Sequence, residues 1–323
     1  MRNSCCLSIP VTVGSAMALA ICGFSRNVKA AVIFSDNLTT STLNVASPAA
    51  PTSTSTNYDV LSTKSATASA INNGTGDLTL KLNSATTSGF VEMEALFSTD
   101  PTPFALTNTG DTIEYDVTFK DTANLLAGGT SSGIYFGLYN SEGGTYPDSG
   151  LNNSGLSTTS GSAYATGGTV NWEGYVGDFI MTGGSNKINT RPQQTGAGTT
   201  SANQDLLGNN FGSGAYNNPT GVQVGSTESS TISLTTGNTY TADMLITLLS
   251  SGQLSIQDTL YNGAGTGGTT VQSQTVTTTA TNYLVDSFDG LAFGQRNSGT
   301  SLDPTADITG ISVDYTAALP EPT

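Results

Sequence analysis

Apolar and polar residues alternate along several short segments, and this alternation restricts the fold more than any other feature. In residues 111 to 120 (DTIEYDVTFK), Ile113, Tyr115, Val117 and Phe119 alternate with acids and threonine. Successive side chains of a strand point to opposite faces, so this segment predicts a strand with one buried and one solvated face. Residues 76 to 82 (GDLTLKL) show the same pattern.

Other segments predict strands of different kinds. Residues 133 to 139 (GIYFGLY) are continuously apolar, which is typical of a central strand buried on both faces. Residues 239 to 249 and 253 to 261 flank Ser-Ser-Gly, a turn sequence that predicts a hairpin, with Gly252 supplying a positive φ. Further strands are expected at residues 31–38, 58–61, 90–97, 170–181, 230–234, 271–277, 288–294 and 308–315.

The predicted strands define the fold class. No segment beyond the N-terminus has convincing helical periodicity, and no fixed-period repeat is present. Residues 140 to 168 and 182 to 229 are rich in Gly, Ser, Asn and Thr and are expected to be mostly loop. About a dozen strands without helices predict an all-β, antiparallel two-sheet β-sandwich of the jelly-roll type, forming a single domain over residues 31 to 317.

The first 30 residues have the layout of a secretory signal peptide. Arg2 gives a positive start, residues 9 to 24 are mostly apolar or small, and Val28 and Ala30 occupy the −3 and −1 positions of a cleavage site. A retained membrane anchor is the alternative, but the apolar stretch is shorter than the ~20 residues that a spanning helix needs. The sequence therefore predicts an exported protein whose mature form is not in the membrane.

The cysteine count and the net charge of the mature chain limit its chemistry and its partners. In a lipoprotein Cys22 would be the acylated residue, but Ile21 before it is bulky where a small residue is expected. Cleavage after Ala30 would instead remove all three cysteines, so the mature chain would have no disulfide. It also removes three of nine basic residues and none of the 24 acidic residues, which leaves a net charge of −18. So acidic a chain repels nucleic acid and anionic lipid, and no nucleic-acid partner is expected.

The C-terminal end carries a recognisable tripeptide. Pro320-Glu321-Pro322 follows the predicted closing strand, and this arrangement resembles the end of bacterial exported proteins of the PEP-CTERM class. In that class the tripeptide opens a sorting signal, so residues 318 to 323 are interpreted as the start of a truncated signal. The resemblance implies processing by envelope sorting machinery and an association with exopolysaccharide.

The order of the segments carries a second resemblance. The chain contains, in this order, a strand with Asp on its polar face, GIYFGLY, a long loop, WEGY, a hairpin around SSG, FDGLAFG and a closing strand. This order is similar to the concanavalin-A-like or laminin-G-like jelly rolls found in PEP-CTERM proteins. It implies the same sandwich fold.

Catalytic residues are not predicted. The chain has no histidine, which excludes Ser-His-Asp and His-metal chemistry. Two carboxylate pairs lie at i and i+2, Glu92 with Glu94 and Glu114 with Asp116, so that each pair shares one strand face. Glu114-Tyr115-Asp116 is similar to the Glu-x-Asp core of laminarinase-type glycosidases, but the further Glu of that family is missing here. A glycosidase with an incomplete motif is therefore kept only as an alternative, and the pairs are interpreted as acids that solvate a strand face.

A structural calcium ion is the one cofactor that the residues suggest. Oxygen ligands from loops suit calcium, and four acids cluster around the FDGLAFG strand. Asp36 would join them if the first and last strands pair. The predicted ligands are Asp286, Asp289, Asp303 and Asp307.

Aromatic residues in or beside the long loops suggest a sugar-binding face. Their rings would stack on the apolar faces of sugar rings, while Asn and Asp side chains bind hydroxyl groups. The alternative is that Trp172 and Tyr175 belong to the core. The candidate ligand-binding residues are Trp172, Tyr175, Tyr139 and Tyr164.

These features together predict a non-catalytic exported protein of the cell surface or extracellular matrix, associated with extracellular polysaccharide. A lectin-like carbohydrate-binding module, with or without calcium, is the first alternative. Neither composition nor spacing identifies the ligand.

Overall fold

A computed structural model gives the arrangement of the chain. It describes residues 30–43, 49–62, 67–69, 76–82, 89–98, 103–123, 125, 132–142, 169–180, 183–193, 206–207, 221–250, 252–297 and 304–318. Among these residues the only helical element is a 3-10 turn at Thr169–Asn171. No helix in this described part is long and apolar enough to cross a bilayer.

Eighteen strands are present in the described residues, most of them in segments with strand-like alternation. In chain order they are β1 (Ala31–Asp36), β2 (Thr42–Leu43), β3 (Asn57–Ser62), β4 (Thr67–Ser69), β5 (Leu78–Lys81), β6 (Gly89–Leu96), β7 (Phe104–Ala105), β8 (Thr112–Ala123), β9 (Gly133–Asn140), β10 (Glu173–Ile180), β11 (Ser185–Arg191), β12 (Gln223–Ser229), β13 (Thr239–Ser250), β14 (Gln253–Asn262), β15 (Thr269–Thr277), β16 (Ser287–Phe288), β17 (Gly290–Asn297) and β18 (Thr305–Thr316).

Two eight-stranded sheets form the sandwich. Sheet 1 has the order β15-β14-β13-β8-β18-β5-β4, and β1 pairs with the other half of β18. Sheet 2 has the order β12-β11-β10-β9-β17-β6-β3-β2. All pairings within the two sheets are antiparallel apart from the short parallel contact of β2 with β3. The chain crosses repeatedly between the sheets, as from β5 to β6, β8 to β9 and β17 to β18. This confirms the predicted jelly-roll sandwich.

The main core lies between the two sheets. Ile113, Tyr115 and Val117 of β8 are fully buried on the inner face of sheet 1. Phe136 of β9 packs against Tyr115, with ring centroids 6.3 Å apart. The Tyr115 hydroxyl also donates a 3.2 Å hydrogen bond to the Ala292 carbonyl of sheet 2. Alternation in the sequence therefore selects the face of each strand that packs inward.

The first and last strands pair, and the predicted hairpin is present. Residue 36 of β1 lies opposite residue 311 of β18, which shows that the first and last strands of the described residues are neighbours in sheet 1. β13 and β14 form the hairpin, and Gly252 in its turn has φ of 76°. Glycine adopts that backbone conformation at low cost because it has no Cβ.

The polar segment from 182 to 229 contains strands that the sequence did not predict. β11 and β12 lie in this segment and extend one edge of sheet 2. Ser-Asn-Lys and Gln-Val-Gly-Ser sequences lack apolar alternation, so nothing local indicated them. The prediction of a strand at residues 230 to 234 is wrong, because this segment crosses from sheet 2 to sheet 1. Ile232 is buried there as part of the connection.

Candidate functional site

The register of sheet 1 brings four acids together. Asp243 of β13 lies directly opposite Asp116 of β8. On the other side of β8, Asp314 of β18 lies opposite Glu114. These four residues, called the acidic group below, come from three adjacent strands.

The acidic group lies on the outer face of sheet 1, away from the main core. Ile113, Tyr115 and Val117 point into the core, so Glu114 and Asp116 between them point outward. Ala242 and Met244 of β13 are likewise in the core, which directs Asp243 outward. The sequence-based prediction that Glu114 and Asp116 share a face is consistent with this register.

Three members of the acidic group lie close enough to share one ligand. One carboxylate oxygen from each of Glu114, Asp116 and Asp243 lies within 4.8 Å of the other two. No other three acids of the described residues come so close. Glu114 and Asp116 are half-buried, whereas Asp243 is only 4% exposed.

Burial and mutual repulsion disfavour ionisation of these acids. Burial and the neighbouring carboxylates raise the pKa of both Asp116 and Asp243. Burial and Asp314 likewise raise the pKa of Glu114. The pKa of Asp116 is raised to about 7 and that of Asp243 to about 9, so both carboxyls hold a proton at higher pH than an exposed Asp does. The neutral form of these carboxyls is therefore favoured.

Hydroxyl groups and one aromatic ring surround the acids. Tyr261 of β14 is half-buried, lies opposite Thr241, and is near enough that Asp243 raises the pKa of its phenol, after the larger effect of burial. Thr118 and Thr241 are in hydrogen-bond contact at 3.2 Å, and Thr259 continues the row on β14. The outer face thus combines carboxylates, hydroxyls and a partly exposed ring.

The acids predicted to bind calcium form hydrogen bonds elsewhere. The Tyr283 hydroxyl donates to Asp286, Ser141 donates to both oxygens of Asp289, and the Thr79 hydroxyl donates to Asp307. In the described part of the chain they do not form a group of three close carboxylates. Asp303 lies outside the described residues.

The Asp36 carboxylate also accepts hydrogen bonds from other groups of the protein. Although β1 and β18 pair as the hypothesis required, Oδ2 of Asp36 accepts hydrogen bonds from Ser41 and from the Tyr58 hydroxyl. Its Oδ1 accepts the Leu38 backbone N–H at 2.6 Å. These bonds hold the turn after β1.

Three of the aromatic residues predicted to bind sugar lie in the interior. Trp172, Tyr175 and Tyr139 are each 0% exposed, so a sugar cannot stack on their rings as they stand in this structure. The Tyr175 hydroxyl accepts a hydrogen bond from the Leu284 backbone N–H. This arrangement matches the alternative that Trp172 and Tyr175 are core residues. Tyr164 lies outside the described residues.

Trp172 and Tyr139 belong to a second, smaller core on the outer side of sheet 2. Their ring centroids are 6.2 Å apart, and Leu206 and Leu207 pack in the same cluster. The Tyr139 hydroxyl donates a 2.9 Å hydrogen bond to the Leu206 carbonyl. Gly290 lets the indole approach the sheet, because a Cβ there would lie 2.5 Å from Trp172.

This second core also encloses Glu92 and Glu94. Both side chains alternate with core residues of β6 and are 1% and 0% exposed. The Leu206 backbone N–H donates a 3.2 Å hydrogen bond to Glu92. The prediction that this pair solvates an exposed strand face is therefore wrong, because the segment at Leu206 covers it.

Asp243 and Tyr261 were not predicted as site residues. A signal for Asp243 exists in its segment, where an acid stands between the apolar residues Ala242 and Met244 on the polar face of a predicted strand. No local signal links it to Asp116, which is far away in sequence. Only the strand register brings them together.

Comparisons with known proteins give no family. No protein-family model matches this chain, and no curated protein matches its sequence significantly. Solved structures with similar arrangements include lectin I from Ulex europaeus in complex with the methyl glycoside of α-L-fucose (12% identity, 80% of this chain and 92% of that chain, TM-score 0.37). Arcelin-5, a lectin-like defence protein from Phaseolus vulgaris, has 14% identity over 80% of this chain and 93% of that chain, with a TM-score of 0.36.

An enzyme is also among the similar structures. Endo-β-1,4-glucuronan lyase from the fungus Trichoderma reesei has 12% identity, covers 79% of this chain and 88% of that chain, and has a TM-score of 0.39. These scores are too low to carry an argument about function. The fold assignment here rests on the strand topology.

Proposed function

We propose that this protein is a non-catalytic, exported surface or matrix protein that binds extracellular polysaccharide through the outer face of sheet 1. One observation carries this proposal: a half-buried ring, Tyr261, lies two residues along β14 from Thr259, the residue opposite Asp243, in a face lined with hydroxyl groups. Aromatic rings stack on the apolar faces of sugars, and carboxylates accept hydrogen bonds from sugar hydroxyls.

The negative charge of the protein limits the kind of polysaccharide that it can bind. The mature chain is strongly acidic, and the binding face itself carries four carboxylates. An anionic polysaccharide would be repelled by this face. The proposed ligand is therefore a neutral polysaccharide.

Export and the domain limits are part of the same proposal. The layout of residues 1 to 30 supports a cleaved signal peptide, followed by one domain over residues 31 to 317. Pro320-Glu321-Pro322 supports sorting at a bacterial envelope by the PEP-CTERM route. N-terminal sequencing of the secreted protein tests the first part, and the expected first residue is Ala31.

A catalytic role is not proposed for Glu114 and Asp116. The glycosidase interpretation requires another acid just beyond Asp116, and the chain has Val117, Thr118 and Phe119 there. Phe119 packs in the core against Phe293, with ring centroids 5.4 Å apart. An acid at that position would face away from the acidic group.

Affinity electrophoresis tests the proposed function. The full chain is run through gels that contain neutral β-glucan, galactomannan or starch, and through a gel that contains alginate. Retardation is expected in at least one neutral gel, and Tyr261→Ala should abolish it while Tyr261→Phe retains it. Tyr283→Ala is the matched control, since Tyr283 is also half-buried but contacts Asp286. Migration unchanged in every neutral gel, or retardation that survives Tyr261→Ala, would contradict the proposal.

A further inference from the structure

One carboxyl group lies in the main core, between the two sheets. Asp258 of β14 alternates with the core residues Ile256 and Leu260, so its side chain points inward. It is 0% exposed, and neither of its oxygens makes a hydrogen bond. Such a carboxyl is favoured in its neutral form, because a charge that has lost its water without gaining a partner costs free energy.

The opposite sheet approaches this carboxyl closely. Gly177 of β10, in sheet 2, faces it across the core, and a Cβ at Gly177 would overlap with Oδ2 of Asp258. Within sheet 1, Asp258 lies opposite Met244 of β13 and Gln274 of β15. The close approach of Gly177 leaves no space for water between it and the carboxyl group.

No basic side chain of the described residues acts on Asp258. Burial and then the Asp178 carboxylate raise the pKa of Asp258 well above that of an exposed Asp, and Gln274 offsets this in part. Lys187 lowers the pKa of Asp178, and Asp258 raises that of Asp243 on the outer face. The titratable residues of the surrounding strands are Tyr240 and Asp243 of β13, Glu173, Tyr175 and Asp178 of β10, Lys187 and Arg191 of β11, and Glu228 of β12, while β15 has none.

Two edge strands close this side of the sandwich. β15, the last strand of sheet 1, contacts β12, the last strand of sheet 2. A Cβ at Gly225 of β12 would lie 2.6 Å from the Val276 side chain of β15. Few residues hold these strands, since only Gln274 and Val276 of β15 and Val224 of β12 are buried. Segments with so few buried apolar contacts open locally at a low free-energy cost.

Ionisation of Asp258 would place a charge directly behind these edge strands. We propose that the protonated Asp258 carboxyl keeps the β12–β15 side of the sandwich closed, and that its ionisation opens this side so that water reaches the charge. In the closed state Asp258 holds its proton at higher pH than an exposed Asp does, whereas in the open state it ionises near pH 4. Closure is therefore favoured at acidic pH, and the open population rises about tenfold per pH unit between the two pKa values.

Amide hydrogen exchange tests this switch. The exchange of the full chain is followed by mass spectrometry at pH 5, 6, 7 and 8, and the intrinsic rate at each pH is divided by the observed rate to give a protection factor. Protection of residues 223–229 and 269–277 should fall at least tenfold from pH 5 to pH 8. Asp258→Asn, which cannot ionise, should show no such fall. Asp258→Ala serves the same purpose if Asp258→Asn does not fold.

Asp178→Asn is the matched control. It removes the other buried carboxyl of this region, which accepts a hydrogen bond from the Lys187 backbone N–H, but it leaves Asp258 in place. The fall in protection of residues 269–277 should therefore persist in this variant. β17, in the middle of sheet 2, should keep higher protection than β12 and β15 at every pH, because the opening is local.

Four results would overturn the proposal. These are protection of β12 and β15 that stays constant from pH 5 to pH 8, a fall that persists in Asp258→Asn, a fall that is lost in Asp178→Asn, and an equal fall in β17, which would show global unfolding. The switch goes beyond the proposed function, since it lies in the core and involves no sugar. Its failure therefore leaves the gel experiment with Tyr261→Ala unaffected.

Discussion

Asp243 of β13 lies directly opposite Asp116 of β8 across an antiparallel strand pair, and one carboxylate oxygen of each lies within 4.8 Å of the other. Two acids at directly opposed positions repel each other when both are ionised. Ionisation of both acids would therefore destabilise the outer face of sheet 1.

Removal of one acid of this pair should stabilise the ligand-free protein. In chelator at neutral pH, Asp243→Asn is expected to raise the free energy of unfolding by about 1 kcal/mol, because it removes repulsion and leaves an amide that hydrogen-bonds to Asp116. Urea unfolding followed by circular dichroism measures this. Asp307→Asn should change the stability by less than about 0.5 kcal/mol. A lower stability for Asp243→Asn would show that the carboxylate is already compensated.

Asp178 should make stability depend on pH. Burial raises the pKa of Asp178 to about 8, even though the Lys187 backbone N–H donates a 2.7 Å hydrogen bond to it and the Lys187 charge lowers its pKa. The unfolded chain has an Asp pKa of about 3.9, so the native state holds the proton more tightly. This contribution to stability is fully present below about pH 4 and is lost as the pH rises to about 8.

Asp178→Asn tests that dependence. The variant keeps a carbonyl oxygen for the Lys187 N–H but has no proton to lose, so its advantage over the unmodified chain should grow from pH 4 to pH 8 and reach a few kcal/mol. Urea unfolding at pH 4, 6, 8 and 9 measures the difference. A difference that is constant over this range would contradict the raised pKa.

Gly290 should not tolerate a side chain. A Cβ at this position would lie 2.5 Å from the fully buried indole of Trp172, so the ring or the strand would have to shift. Gly290→Ala is expected to cost about 1–3 kcal/mol and to change the fluorescence of Trp172, which is the only tryptophan of the chain. Gly267→Ala is the control, because a Cβ at Gly267 would meet no atom within 4 Å. Equal stability of the two variants would mean that Trp172 does not pack on Gly290.

Tyr115 should contribute a measurable hydrogen bond between the sheets. Its buried hydroxyl donates to the Ala292 carbonyl, so Tyr115→Phe is expected to cost about 0.5–1.5 kcal/mol while the ring packing is retained. Thermal unfolding measures this cost. Tyr261→Phe, on the outer face, should have a stability within about 0.5 kcal/mol of the unmodified chain. A neutral Tyr115→Phe would indicate that the bond adds nothing to the association of the sheets.

Much of the fold follows from local patterns in the sequence. β8, β9 and the β13–β14 hairpin coincide with predicted strands, because burial of one or both faces imposes a period that is visible in the residues themselves. β11 and β12 were not predicted, because their sequences are polar and lack apolar alternation. These two strands lie at one edge of sheet 2. Strand pairing stabilises such segments without any apolar alternation.

The candidate site shows most clearly what could not be predicted from the sequence alone. Sequence alone determined that Glu114 and Asp116 share a face, since a strand has a period of two. Sequence could not decide whether Trp172 is exposed or buried, because the residues that cover it come from a distant segment at Leu206. Nor could it place Asp243 opposite Asp116, since their register is fixed by the packing of whole strands in sheet 1. Local periodicity therefore set which way the side chains of β8 point, and the tertiary structure alone decided which side chains they meet.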